Sequence, residues 1–244
     1  ISLRPPELAF AYPPDLWFTG ATFANYPRAL LDLLPFPMYF RNTIVIAVLV
    51  IIGDLISSSL VAYGFARFRF PGREALFLVL LSTMMMPFIV RLVPLFVLFQ
   101  KLGWTNTFLP LTVPAFFGTP FYIFLMRQFF LTIPSDLVDA ARVDGANELG
   151  IWWRIMLPLA KPALVAVAIF SFQSTWNDFL APLVFLQRDE VKTVILGLYG
   201  LMGMFIEWQL VMAAVVAAVL PMVVMFFVFQ RFFIKGIAVG AVKG

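Results

Sequence analysis

The chain has 244 residues, 62% hydrophobic and only 12% charged, with a formal net charge of +4 and neither histidine nor cysteine. A soluble domain carries about 25% charged residues, so this much apolar surface needs lipid as its solvent. Without His or Cys, a histidine-based triad, a thiolate nucleophile, a Cys/His zinc site and a disulfide framework are all excluded.

Residues 1–40 are rich in proline (Pro5, Pro6, Pro13, Pro14, Pro27, Pro35, Pro37) and read as an external loop segment. Residues 41–244 then form the transmembrane domain. A bilayer core about 30 Å thick needs roughly 20 helical residues to cross it. Five apolar stretches qualify: Thr43 to Ala66, Ala75 to Gln100, Phe108 to Phe130, Pro162 to Leu186 and Leu210 to Phe233. They are continuously apolar and do not alternate, which predicts helices and not barrel strands. The fold class is therefore all-α, a polytopic transmembrane helix bundle.

Lys and Arg set the orientation. With the Arg67–Arg73 connection in the cytoplasm, ten of the 17 cations lie on that side, six on the other, and Arg91 within a span. Five spans with a cytoplasmic C-terminus leave Ile1 outside, so a further membrane helix is expected ahead of it.

The longest cytoplasmic connection, about residues 133–158, carries two short helices and the most information. Ser135 after Pro134 is placed to cap the first, with Asp136 and Asp139 where the helix dipole favours anions. Gly145 permits a sharp turn. In the second, Trp152, Ile155, Met156 and Leu159 form an i, i+3, i+4, i+7 stripe, and Pro158 marks its approximate end. Helices this short are marginal alone. They need either a groove on another protein or the lipid headgroups to rest on, and the pattern by itself leaves both open.

Asp139-Ala-Ala-Arg-Val-Asp-Gly145, followed by Ile155-Met-Leu-Pro158, resembles the EAA loop of ATP-binding-cassette importer permeases: Gly145 is four residues after Ala141, and Ile155 ten after Gly145. Pro94 to Gly103, Trp176-Asn-Asp-Phe-Leu180 and the closing Gly240 to Gly244 extend the resemblance to the carbohydrate-type, MalG-like members. The leading Glu of the motif is Asp139 here, one methylene shorter. The resemblance implies a six-helix permease that supplies a path for a sugar or related polyol together with a homologous second permease subunit. It also implies a cytoplasmic ATPase dimer, an extracytoplasmic substrate-binding protein, and residence in a bacterial or archaeal cytoplasmic membrane. The implied coupling site is Asp139, Ala140, Ala141, Asp144 and Gly145, completed by Ile155, Leu157 and Pro158. Ala140 and Ala141 would be small so that the helix can enter its groove. Asp136 or Asp144 could replace Asp139 in an ion pair with the ATPase. The chain has no Gly-x-x-x-x-Gly-Lys-[Ser/Thr] loop, so no cofactor is expected in it; ATP and Mg would belong to the partner. No metal site, catalytic residue or nucleic-acid contact is expected.

Polar residues inside the apolar runs offer a substrate path or interhelical hydrogen bonds. Gln173, Trp176, Asn177 and Asp178 are the path candidates. Gln173 and Asn177 would share one helix face, Ser174 and Asp178 the next, and Trp176 would stack on a sugar ring. Asp54 and Ser57–Ser59, near Gly53 and Gly64, read as close helix packing. Arg91 between Pro87 and Pro94 predicts a kinked or interrupted helix with a snorkelling arginine, and Met84–Met86 reads as core filler. Ala213, Ala214, Ala217 and Ala218 permit close approach of a helix. The tail from Lys235 is too short and Gly-rich to fold alone, and either meets the ATPase or frays. Two rival classes remain: an ion-coupled transporter or channel, which predicts internal repeats and paired carboxylates, and an intramembrane enzyme of Ser/Lys or two-Asp type.

Overall fold

A computed structural model describes residues 1–6, 20–201 and 207–241, with side chains as far as residue 230. Among these residues every regular element is helical, and the fold is all-α. Three helical segments are long and apolar enough to cross a membrane alone: Phe36–Arg67, Leu109–Thr132, which is interrupted at Gly118 and Thr119, and Trp208–Gln230. Two bent pairs reach that length only if each is counted as one span: Arg73–Met85 with Phe88–Lys101 at 95°, and Glu148–Leu159 with Lys161–Trp176 at 82°. In the second pair, Glu148–Leu159 belongs to the 133–158 connection and Lys161–Trp176 to the apolar run.

Two of the five expected runs are corrected, one by the 95° bend and the other by a break at Asn177–Phe179. Ala75 to Gln100 is not one helix: it is α2 (Arg73–Ser82), a short 3-10 turn, and α3 (Phe88–Lys101). Pro87 has no N–H to continue the ladder, and the residue before it, Met86, is pushed to an extended ψ of 114°. Met84, Met85 and Met86 lie at this break and are 48%, 84% and 51% exposed, so they do not fill the core. Arg91 is exposed on α3, with its guanidinium 5.9 Å from the Phe88 ring.

Pro162 to Leu186 is likewise divided. Its helix ends at Trp176, and Leu180–Phe185 begins after the gap at Asn177–Phe179. Pro182 cannot donate to the carbonyl of Asp178 and would clash with it in a continuous helix. The Asp178 carboxylate instead accepts from the Ala181 amide at 3.3 Å. Ser174 and Asp178 therefore do not share a helical face.

The chain forms two compact units. One joins residues 1–45 to residues 176–228. Helical turns at Asn25–Pro27 and Arg28–Leu33 precede the long helix α1 (Phe36–Arg67), whose first turns belong here. Buried Asn25 donates to the carbonyls of Ser2 and Arg4, which ties down the start of the chain. Asn42 donates to the carbonyls of Glu190 and Lys192, and Thr43 accepts from the Val194 amide. Ala213, Ala214 and Ala218 are buried with Tyr39, Val194 and Leu210, so the small residues of the last helix are used inside this chain. Gly197 lies against the Tyr39 ring, where a Cβ has no room.

The other unit comprises residues 46–175 and 229–244. Its core gathers Tyr63, Phe77, Met126, Phe130, Val138, Ile151, Met156 and Val167. Gly53 allows close approach, because a Cβ there would lie 2.9 Å from Phe116. Gly64 has open space around it and plays no such part. Ser57 donates to the Gly53 and Ala115 carbonyls, and buried Asp54 accepts from Thr119 at 2.6 Å and Ser171 at 2.7 Å. These residues pack helices, as the sequence predicts. The last helix, Trp208–Ala241, continues through Lys235, so the tail does not stand apart as expected. The ATPase contact expected of the tail from Lys235 to Gly244 would be made by side chains that lie outside the described residues, as does the side chain of Arg231.

Candidate functional site

The segment after α4 (Pro120–Thr132) folds as two helices, α5 (Ser135–Val143) and α6 (Glu148–Leu159). Pro134, not Ser135, holds the N-cap position of α5; Ser135 is the first helical residue and no side chain caps that end. Asp136 lies in the first turn, where the dipole favours it. Gly145 adopts φ 81° after α5 ends, a left-handed conformation in which a β-carbon is strained. The chain then turns into α6, whose N-cap Asn147 accepts from the Gly150 amide at 2.7 Å.

One face of this hairpin is fixed on its own chain. Val138 and Ala141 of α5 are 1% and 8% exposed, packed with Ile151, Trp152 and Met156 of α6 against Tyr63 and Phe130. Residues Trp152–Met156 form a π-helical stretch, and its wider turn changes the expected stripe. Trp152, Met156 and Ala160 line the buried side, whereas Ile155 is half-buried and Leu159 is 46% exposed. Ala140 and Ala141 separate here: Ala140 is exposed, and the smallness of Ala141 answers to this chain's own core.

Polar contacts hold the hairpin shut. Arg142 donates to Asp139 at 3.0 Å and to Glu148 at 2.8 Å, linking α5 to α6. The other Glu148 oxygen accepts from the Tyr63 hydroxyl of α1. Arg67, the last residue of α1, donates to the carbonyls of Phe130 and Ile133, both at 2.6 Å, where α4 ends and the loop begins. Sequence reasoning missed Arg67, Tyr63, Glu148 and Asn147. Only Asn147, an N-cap residue directly before Glu148, carries a local signal that would have found it.

The Arg142 hydrogen bond holds the Glu148 carboxyl below its ordinary value near 4.5, with the Tyr63 hydrogen bond acting in the same direction against partial burial. The Arg142 guanidinium is correspondingly raised, mainly by Glu148. A lowered folded value means that the contact contributes fully above the ordinary carboxylate range and is lost as pH falls through the lowered value. Hydrogen exchange of residues 135–160 is therefore expected to rise as pH drops from about 6 to 3, after correction for intrinsic exchange. Glu148→Gln is expected to flatten that profile; an unchanged profile in the variant would assign the opening to another group.

The substrate-path candidates separate. Trp176 is 1% exposed, its indole N–H donates to the Ala218 carbonyl at 3.1 Å, and its edge meets Phe40 with 5.7 Å between ring centroids. A ring so enclosed cannot stack on a sugar, and it fills the interhelical role instead. Asp178, one residue before the N-cap Phe179, accepts from the Ala181 amide in the first turn of the Leu180–Phe185 helix. Gln173 and Asn177 remain exposed.

Residues 55–239 match the family described as "Binding-protein-dependent transport system inner membrane component". The chain is 40% identical over 207 residues to the arabinooligosaccharides transport system permease protein AraQ of Halalkalibacterium halodurans, which covers 84% of this chain and 74% of that protein. It is 37% identical over 228 residues to the trehalose/maltose transport system permease protein MalG of Thermococcus litoralis, covering 92% and 82%. Among solved structures, a bacterial ABC transporter involved in the import of the acidic polysaccharide alginate matches with TM-score 0.77 at 28% identity, covering 88% of this chain and 80% of that one. These relatives are transport proteins, and the ion-coupled alternative falls with them. The chain belongs to the binding-protein-dependent inner-membrane transport family, as a multi-pass permease subunit of the carbohydrate-type, MalG-like ATP-binding-cassette importers.

Proposed function

We propose that residues 133–158 couple this permease to a cytoplasmic ATPase dimer, and that the imported substrate is an oligosaccharide. The observation that carries the coupling role is the outer face of the hairpin. With Val138, Ala141, Ile151 and Met156 already buried, Leu137, Val143, Leu149 and Trp153 stay 46%, 86%, 64% and 63% exposed. An apolar set this open, flanked by acidic Asp136 and Asp144, suits a protein groove better than an anionic headgroup layer. Asp139 already pairs with Arg142, so Asp136 and Asp144 are the acidic groups left to meet a cationic partner.

ATP and Mg would act on the ATPase, whose closure would move the hairpin as a lever and tilt the bundle between inward-open and outward-open states. A homologous second permease would complete the path, with Gln173 and Asn177 among the groups lining it. An extracytoplasmic binding protein would deliver the sugar across a bacterial or archaeal cytoplasmic membrane. The permease would move its substrate without reacting with it. The names of AraQ and MalG support the oligosaccharide.

The chain contains no cysteine, so a single introduced thiol is a clean probe. Val143→Cys in the full-length importer is expected to cross-link to an ATPase subunit, and Leu220→Cys on the last helix is not. A complex purified without any ATPase, or equal cross-linking from both positions, would refute the coupling role. Thermal-shift screening of the cognate binding protein tests the substrate separately: stabilisation by oligosaccharides is expected, and a response only to glycerol phosphates would overturn it.

A further inference from the structure

The turn after α1 and the inner side of α5 enclose a cleft of about 760 Å³, lined by residues 66–69, Arg73, Ser135, Val138, Asp139 and Arg142. Four arginines face a single carboxylate there, and that carboxylate, Asp139, is already bonded to Arg142. Arg73 is paired with Glu74 outside the cleft at 2.7 Å. The remaining two cations are less compensated. Arg69 is exposed and has no carboxylate within ion-pair distance among the described residues. Arg67 bonds backbone carbonyls through one terminal nitrogen, while its Nε is buried without a partner.

Four guanidinium groups around one engaged carboxylate, with Arg69 exposed and unpaired among the described residues, describe a site short of an anion with several acceptor oxygens, which is the chemistry of a phosphate group. Ser135 adds a hydroxyl at the uncapped start of α5, where first-turn amides also favour negative charge. The place of the cleft in the fold selects the source. It opens at the last residue of a helix long and apolar enough to cross a membrane, and Phe68 and Phe70, both 38% exposed, flank Arg69, as aromatic side chains do at membrane interfaces. We propose that this cleft binds the phosphate of an anionic phospholipid headgroup. Basic pockets at helix ends recognise such headgroups by this combination of fixed charge and interfacial position. A lipid so bound would bridge the end of α1 to α5, beside the coupling hairpin. The proposal requires only that the chain sits in a bilayer, and it stands whether or not the hairpin meets an ATPase.

The test is lipid retention by the full-length importer complex, measured by native mass spectrometry after exchange into nanodiscs holding phosphatidylglycerol and phosphatidylcholine. Selective retention of phosphatidylglycerol is expected. Arg69→Gln should weaken it about fivefold, from the contribution of one cation at a membrane surface, and Arg69→Glu should weaken it further. Arg91→Gln, on the exposed α3 surface, should leave it unchanged. Equal retention of the two lipids would overturn the proposal. Displacement of phosphatidylglycerol by millimolar inorganic phosphate, with no preference between lipids, would assign the cleft to a soluble phosphate ester. Loss of ATPase binding in Arg69→Gln with phosphatidylglycerol retention intact would assign it to the ATPase.

Discussion

Ala140→Trp is expected to abolish ATP-driven uptake while leaving the hairpin seated, whereas Ala141→Trp is expected to lose uptake by unseating it. The two alanines are neighbours in the motif but look in different directions. Ala141 is 8% exposed and lies in the core with Tyr63, Phe130 and Ile151. An indole there overfills a packed site, at a cost of about 1–3 kcal/mol, or roughly 5- to 150-fold in the seating equilibrium. Ala140 is exposed, and an exposed substitution changes stability by only about 0.5 kcal/mol or less. Its effect would arise where α5 enters the partner's groove. Proteoliposome uptake together with protease resistance of residues 135–160 separates the two: both variants lose transport, and only Ala141→Trp loses protection. Normal uptake by Ala140→Trp would remove α5 from the coupling interface. Unchanged protection in Ala141→Trp would show that the hairpin is not anchored through this residue.

That difference marks what periodicity can reveal. The apolar runs, the all-helical class and the turn at Gly145 are legible because lipid imposes a minimum helix length and a left-handed φ strains any β-carbon. The breaks at Met86–Pro87 and Asn177–Phe179 were also written locally, in Pro87 and in Asp178 with Pro182. Hydropathy averages over them, since a broken run is as apolar as a continuous one. Trp176 failed as a sugar platform for another reason. Its partners, Phe40 and the Ala218 carbonyl, are distant in sequence, and an indole inside a core looks the same in one dimension as one lining a path. The π-helical stretch at Trp152–Met156 moved the buried stripe from Leu159 to Ala160, a shift that a fixed 3.6-residue period cannot anticipate. The contacts that hold the hairpin are also long-range. Tyr63 reaches Glu148 across 85 residues and Arg67 reaches Ile133 across 66, so no motif window contains both partners.

Arg67→Met is expected to uncouple the importer: substrate-stimulated ATP hydrolysis persists while uptake falls at least about tenfold. The guanidinium joins three pieces at one point, namely the end of α1, the carbonyl of Phe130 near the end of α4, and the carbonyl of Ile133 at the start of the loop. A cation at a helix C-terminus also opposes the partial negative charge of the helix dipole. Hydrogen bonds to a charged donor contribute about 1.5–3 kcal/mol each, and the two here share one nitrogen, so together they fall short of twice that. Losing about 2 kcal/mol at the junction would open it roughly 30-fold more often. The outer face of α5 and α6 is untouched by this change, because Leu137, Val143, Leu149 and Trp153 do not depend on Arg67 for their exposure. The hairpin could then still meet its ATPase, but part of its movement would be absorbed at a loose joint before reaching α1 and α4. Arg67→Lys keeps the charge without the planar fork and should recover only part of the uptake. Parallel measurements of ATPase activity and uptake decide the matter. If both fall in proportion, Arg67 supports folding and not transmission. If neither changes, the lever does not run through this junction.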